Sequence, residues 1–180
     1  AALCDALAAD LGDVVRLGSV VTKVTHDETA VVTLASGETV EARTVVSTLP
    51  PRLAVALEYD PPLPQWRRDV AEKVAPGNVI KAYLVYETPF WRQRGLSGQS
   101  SSDEGAVRVT FDTTPADSTR GLLMGFFEGN EADSLAHRSL ETRRRAFVES
   151  AVHAFGEEAA EPSEYVERDW SAEQYTRGCH

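Results

Sequence analysis

The chain has 180 residues, 42% of them hydrophobic, enough for one ordinary domain or for one domain plus part of another. Its 18 Lys+Arg against 28 Asp+Glu give a formal net charge of −10, which argues against a nucleic-acid partner and against an anionic membrane surface, since both need a basic face. No apolar run approaches a membrane span, and no basic-then-apolar leader is visible.

Leu3, Leu7, Ala8 and Leu11 share a helical face, with Gly12 as a C-terminal cap. Residues 14–17 read as a short strand. Residues 20–24 and 30–34 read as paired strands joined across His26-Asp27-Glu28-Thr29. Ser36-Gly37 is a turn before a third strand near 38–42. The β-branched run 44–49 predicts another strand, ended by Pro50-Pro51 because proline cannot donate to a ladder. Pro51 is suited to open a short helix through Leu57.

After Asp60-Pro61-Pro62, residues 65–74 predict a helix that stops before Pro76-Gly77. A strand follows over 79–86. The polar stretch 92–105, rich in Gly and Ser, predicts a loop with one short strand. Residues 106–111 and 121–127 predict two more strands, connected by the turn at 113–117. Residues 131–136 predict a short helix. Ser139 caps a longer one, in which Phe147, Val148, Ala151, Val152 and Phe155 share a face and Gly156 closes the end. Residues 165–170 predict the last strand. Strands and helices in this order predict an α+β fold.

Lys81 interrupts a nearly continuous apolar run, Val79-Ile80-Lys81-Ala82-Tyr83-Leu84-Val85-Tyr86. Strand alternation puts Val79, Tyr83 and Val85 on its face and Ile80, Ala82, Leu84 and Tyr86 on the other. A lysine there must reach water along its stem, meet a counter-charge, or hold a polar group. Other candidates are fewer. Cys4 and Cys179 lie near opposite ends, without metal-ligand spacing and too few for a disulfide framework, so the expectation is a reducing cytoplasm. His26, His137, His153 and His180 are scattered, and no metal is expected. Arg143-Arg144-Arg145 reads as a solvated helix face rather than an anion site.

Several words follow one another in order at short spacing: Asp60-Pro61-Pro62-Leu63-Pro64, then Pro76-Gly77-Asn78-Val79-Ile80-Lys81, then Thr88-Pro89-Phe90-Trp91-Arg92. Val45-Val46-Ser47-Thr48-Leu49-Pro50-Pro51 precedes them. Leu123-Met124-Gly125-Phe126 and the run from Trp170 to Cys179 follow. Together these resemble the flavin-containing monoamine oxidase family over nearly the whole chain.

The resemblance implies FAD as cofactor and oxidative deamination of an amine, with dioxygen reduced to hydrogen peroxide. It implies that Lys81 holds a water against flavin N5, where a cation stabilises charge developing on oxygen. It implies cofactor contacts at Val21, through the backbone, and at Pro50, Trp170 and Tyr175. It implies a substrate wall at Val109, Met124 and Phe126. Trp91 reads as a structural aromatic. His180 stands where many relatives carry an aromatic residue beside the flavin.

The resemblance also implies domains: residues 1–50 as a β-rich part of the FAD-binding domain, 51–164 as the substrate domain, a mixed β-sheet flanked by helices, and 165–180 as a return toward the first. The G-x-G-x-x-G turn that cradles a dinucleotide pyrophosphate does not occur in the chain. The expectation is therefore an internal piece of an oxidase, inactive and flavin-free by itself. Its partners would be a small amine, dioxygen, and either the rest of the polypeptide or a second copy covering exposed apolar surface. The rivals are a non-catalytic module of the same fold and a related flavoprotein oxidase acting on polyamines, amino acids or porphyrinogens.

Overall fold

The computed structural model describes residues 2–178 and divides into two compact units, Ala1–Val74 and Ala75–His180. Cys179 and His180, singled out above, lie outside the described residues.

The first unit is built on a four-stranded sheet in the order β3-β2-β1-β4. β1 (Val21–His26) and β2 (Ala30–Leu34) form the expected hairpin, in antiparallel register from His26↔Ala30 back to Val21↔Leu34. β3 (Thr39–Ala42) continues it. Val24, Ala30 and Leu34 are buried. β4 (Glu58–Asp60) was not expected; it is too short and polar to stand out, yet it pairs parallel to β1. Lys23 ties the two together, 2.9 Å from Glu58 and 3.5 Å from Asp60. This pairing carries the unit past Pro50, through α2 (Pro51–Ala54) and α3 (Gln65–Lys73).

Two expectations in this unit fail. Residues 14–17 form no strand: Gly12–Val14 is a 3₁₀ turn and the chain bends again at Leu17-Gly18. Residues 44–49 form no ladder, because the described sheet ends at β3 and β4 and leaves them no neighbour. β-branching alone does not make a strand. Val46 is 82% exposed. α1 (Ala2–Leu11) forms as expected, but its apolar face is uncovered among the described residues: Leu3 is 74% exposed and Leu11 58%.

The second unit is a five-stranded antiparallel sheet in the order β6-β7-β8-β5-β9, with helices packed on one face. Its strands are β5 (Val79–Tyr86), β6 (Ser100–Ser101), β7 (Val109–Asp112), β8 (Gly121–Glu128) and β9 (Glu164–Asp169). The short helices are α4 (Phe90–Gln93) and α5 (Asn130–Ala136). The long helix α6 (Leu140–Phe155) starts where Ser139 accepts a hydrogen bond from the Thr142 amide at 3.2 Å, an N-cap worth about 1 kcal/mol. It ends at Gly156, whose φ of 88° favours glycine.

The inward face of α6 is the expected one. Phe147, Ala151 and Phe155 are buried against Ile80, Ala82, Leu84, Leu123 and Phe127, with Val148 half-buried. Burying each phenylalanine contributes about 1.5–3 kcal/mol. The helix comes this close because β8 carries Gly125: a Cβ there would stand 2.5 Å from Val107 Cγ1 and 2.7 Å from Phe147 Cζ. Trp91 is fully buried, and its indole donates to Asp112 at 2.8 Å, which confirms its structural role.

One residue of the arginine triplet is not solvated. Arg143 reaches between α6 and β9, where its guanidinium pairs with Glu167 and donates to the Leu135, Ala136 and Arg138 carbonyls at the end of α5. Tyr165 donates to the same carboxylate at 2.6 Å. Burial opposes the charge on Glu167, but hydrogen bonds from Arg143 and Tyr165 outweigh it and hold the carboxyl below its usual range. Arg144 and Arg145 remain on the outside, near Glu141 and Glu149.

Candidate functional site

β5 is a strand with two different faces. Ile80, Ala82 and Leu84 are at most 1% exposed, under α6. Lys81 and Tyr83 are half-buried on the face that α6 does not cover. The apolar side therefore anchors the strand, and the lysine is presented from the other side. Val85, which shares the lysine's parity, is buried, so the uncovered character is confined to the first part of the strand.

Register decides what surrounds Lys81. On β8 it faces Phe126 directly, and Tyr83 faces Met124. On β9 it faces Arg168. On β7, Phe111 faces Met124, and alternation puts Val109 on the face of Phe111. The fold thus brings Lys81, Val109, Met124 and Phe126 together on one face of one sheet.

The Lys81 ammonium lies 5.6 Å from the centroid of the Tyr83 ring and 5.8 Å from that of Phe126. Phe111 meets Phe126 edge-on, with centroids 6.4 Å apart. Among the described residues Lys81 forms no ion pair, whereas its neighbour Arg168 is engaged with Glu173 at 2.5 Å. The result is an uncompensated cation on an aromatic, partly dried surface, where a charge interacts more strongly than in water. A shallow cavity of about 200 Å³ opens beside Phe126, lined also by Ala106, Arg108, Glu128, Asn130 and Glu131.

The other sequence candidates are placed elsewhere. Trp170 follows β9, half-buried, with its amide donating to the Val79 carbonyl at 3.1 Å, at the start of the lysine's strand. Tyr175 lies in the turn beyond it and is 57% exposed. Val21 and Pro50 belong to the first unit: Val21 opens β1 beside a bulge, and Pro50 precedes α2. Tyr83 and Arg168, neighbours of Lys81, and Phe111, which meets Phe126, were not singled out by the motifs. Tyr83 was legible by alternation; the other two depend on strand register.

Behind the site, Asp112 fixes the end of β7. It accepts from Arg92 Nε at 2.6 Å, from the Trp91 indole, and from the Thr114 amide at 2.8 Å. Burial pushes its carboxyl up, but these hydrogen bonds outweigh burial and hold it near 2.

Among the described residues no His, Cys, Asp and Glu cluster could hold a metal ion, and no helix is long and apolar enough to cross a membrane. Comparison with known proteins is decisive about kinship. The chain is 38% identical over 176 residues to the Mycobacterium tuberculosis protein AofH, which covers 98% of this chain and 38% of that protein. A solved putrescine oxidase, redesigned at its cofactor site, superimposes with a TM-score of 0.91 at 38% identity, covering 97% of this chain and 39% of the other. Cyclohexylamine oxidase from Brevibacterium oxydans does so with a TM-score of 0.89 at 30% identity, covering 96% and 38%. The chain spans about two fifths of the length of these relatives. The profile of the flavin containing amine oxidoreductases matches residues 1–180, and the chain belongs to that family.

Proposed function

We propose that this chain is the substrate-side part of an FAD-dependent amine oxidase, which converts an amine to an imine while dioxygen becomes hydrogen peroxide. The observation that carries this reading is the unpaired Lys81 ammonium on a face it shares with Phe126, Met124 and Val109. The names of two related proteins, putrescine oxidase and cyclohexylamine oxidase, support an amine as substrate.

The residues fit FAD in one respect. An uncompensated ammonium on an aromatic surface is a donor suited to an electron-rich ring edge and to the water beside it. The chain offers no glycine-rich cradle for a pyrophosphate. When bound, FAD supplies the two-electron acceptor of the reaction. Lys81 would hold a water by its ammonium and stabilise negative charge developing on dioxygen during its reduction. Phe126, Met124 and Val109 would wall off water and orient the carbon next to the substrate nitrogen. Trp170 and Tyr175, on the segment after β9, and Val21 and Pro50 in the first unit, are proposed cofactor contacts.

On this reading residues 1–50 belong to an FAD-binding domain, 51–164 to the substrate domain, and 165–180 lead back, although the first compact unit itself runs on to Val74 because β4 pairs with β1. The exposed leucines of α1 would be covered by further polypeptide or by a second copy. The two cysteines, one exposed in α1, support a reducing, cytoplasmic setting. The test is amine-dependent oxygen uptake by the flavin-loaded protein that carries this chain. Uptake matched by hydrogen peroxide supports the proposal. Bound flavin that stays oxidised with putrescine, cyclohexylamine and other amines contradicts it.

A further inference from the structure

We propose that Tyr83 is a positioning residue for Lys81, holding the ammonium over a two-ring platform that Phe126 completes. The proposal rests on the reading of Lys81 given above. A lysine stem has many rotamers, and on an uncovered strand face it ordinarily extends to water. Here the ammonium stays within 6 Å of two ring centroids, at 5.6 Å from Tyr83 and 5.8 Å from Phe126, inside the reach of a cation–π attraction. The rings come from two directions. Tyr83 is two residues along the same strand, and Phe126 is the direct partner on β8. Phe126 is itself braced edge-on by Phe111 of β7. Two adjacent strands thus supply the rings, and a third braces one of them.

Among the described residues the platform acts without an ion pair. A carboxylate would hold the lysine as firmly but would cancel the charge that a developing anion needs. Aromatic faces hold the cation and leave its net charge in place. The ring of Tyr83, rather than its hydroxyl, carries this role, so Tyr83→Phe should preserve it and Tyr83→Leu should not.

The chain's lysines are Lys23, Lys73 and Lys81, so lysine-selective 13C labelling gives a spectrum simple enough to read each ε-methylene, with Lys81→Arg as the assignment. The expected result for the 180-residue chain is a Lys81 ε-proton signal shifted upfield of the other two by the rings, retained in Tyr83→Phe and reduced in Tyr83→Leu. A wild-type signal coincident with those of Lys23 and Lys73 overturns the platform, and needs no variant that must fold. In the flavin-loaded protein, Tyr83→Leu should slow reoxidation by dioxygen about two- to fivefold, and should add nothing in a Lys81→Met background. Equal slowing in that background overturns positioning through Lys81. If Lys81→Met alone leaves reoxidation unchanged while the upfield shift stands, the functional reading of Lys81 falls, and the positioning role with it.

Discussion

Lys81 and Phe126 are direct partners across β5 and β8, and the ammonium of one stands 5.8 Å from the ring centroid of the other. The pairing follows from two apolar strands whose opposite faces are committed to α6. Ile80 and Phe127, themselves partners in the ladder, are buried at 1% and 0%. Once those faces are fixed, period-two alternation leaves Lys81 and Phe126 no choice but the other side. A slip of one residue would bury the lysine under the helix, at a cost the core could not absorb.

Gly125 keeps α6 against the sheet. Gly125→Ala should destabilise the protein by about 1–3 kcal/mol, because the new methyl would press on Val107 and Phe147 in a core that has no room to yield. Urea unfolding measures this directly, and a midpoint equal to wild type would contradict the packing described.

Arg143 and Glu167 form a nearly buried pair, with side chains 13% and 11% exposed. Arg143→Met should cost about 3–5 kcal/mol, since it leaves a carboxylate buried beside Tyr165 with its main partner gone. Adding Glu167→Gln should recover part of the loss. A single variant as stable as wild type in thermal unfolding would show that the pair is not load-sharing between α6 and β9.

Asp112 gives the fold a specific acid response. Its folded carboxyl is held near 2, below the ordinary value of 3.8, so its contribution is complete above about pH 5 and is lost progressively as pH falls through about 2. Asp112→Asn should lower stability at pH 7 by about 1–3 kcal/mol and flatten the pH dependence in the window from about 5 to 2. Unfolding free energies of both proteins across that window decide it; parallel curves would contradict the assignment.

The 180-residue chain by itself should not retain FAD, because it has no glycine-rich pyrophosphate cradle. Mixing with FAD followed by gel filtration is sufficient. Flavin absorbance that travels with the protein would contradict this.

The parts legible beforehand are those governed by local periodicity. The faces of β5, the buried face of α6 and its Ser139 cap follow from alternation, helical spacing and capping chemistry, and the fold agrees with each. The failures arise where a partner decides. Residues 44–49 have strand composition but no ladder neighbour among the described residues, and β4 has poor strand composition but finds β1. Arg143 looked solvated because its neighbours are; only the distance to Glu167 on β9 shows that it is not. The same limit applies to the site. Lys81 stood out by charge in an apolar strand, whereas Phe111 and Arg168 join it only through register. Val21, assigned to a backbone contact, carries no side-chain signal at all.

The central claim is that Lys81 serves the oxygen half of the reaction. Stopped-flow measurement of the two half-reactions in the flavin-loaded protein, wild type against Lys81→Met, tests it most directly. Methionine keeps much of the stem's volume while removing the charge and the hydrogen bonds. The account predicts that reoxidation by dioxygen slows far more than flavin reduction by amine. Equal slowing of both half-reactions, or no slowing of either, would contradict it.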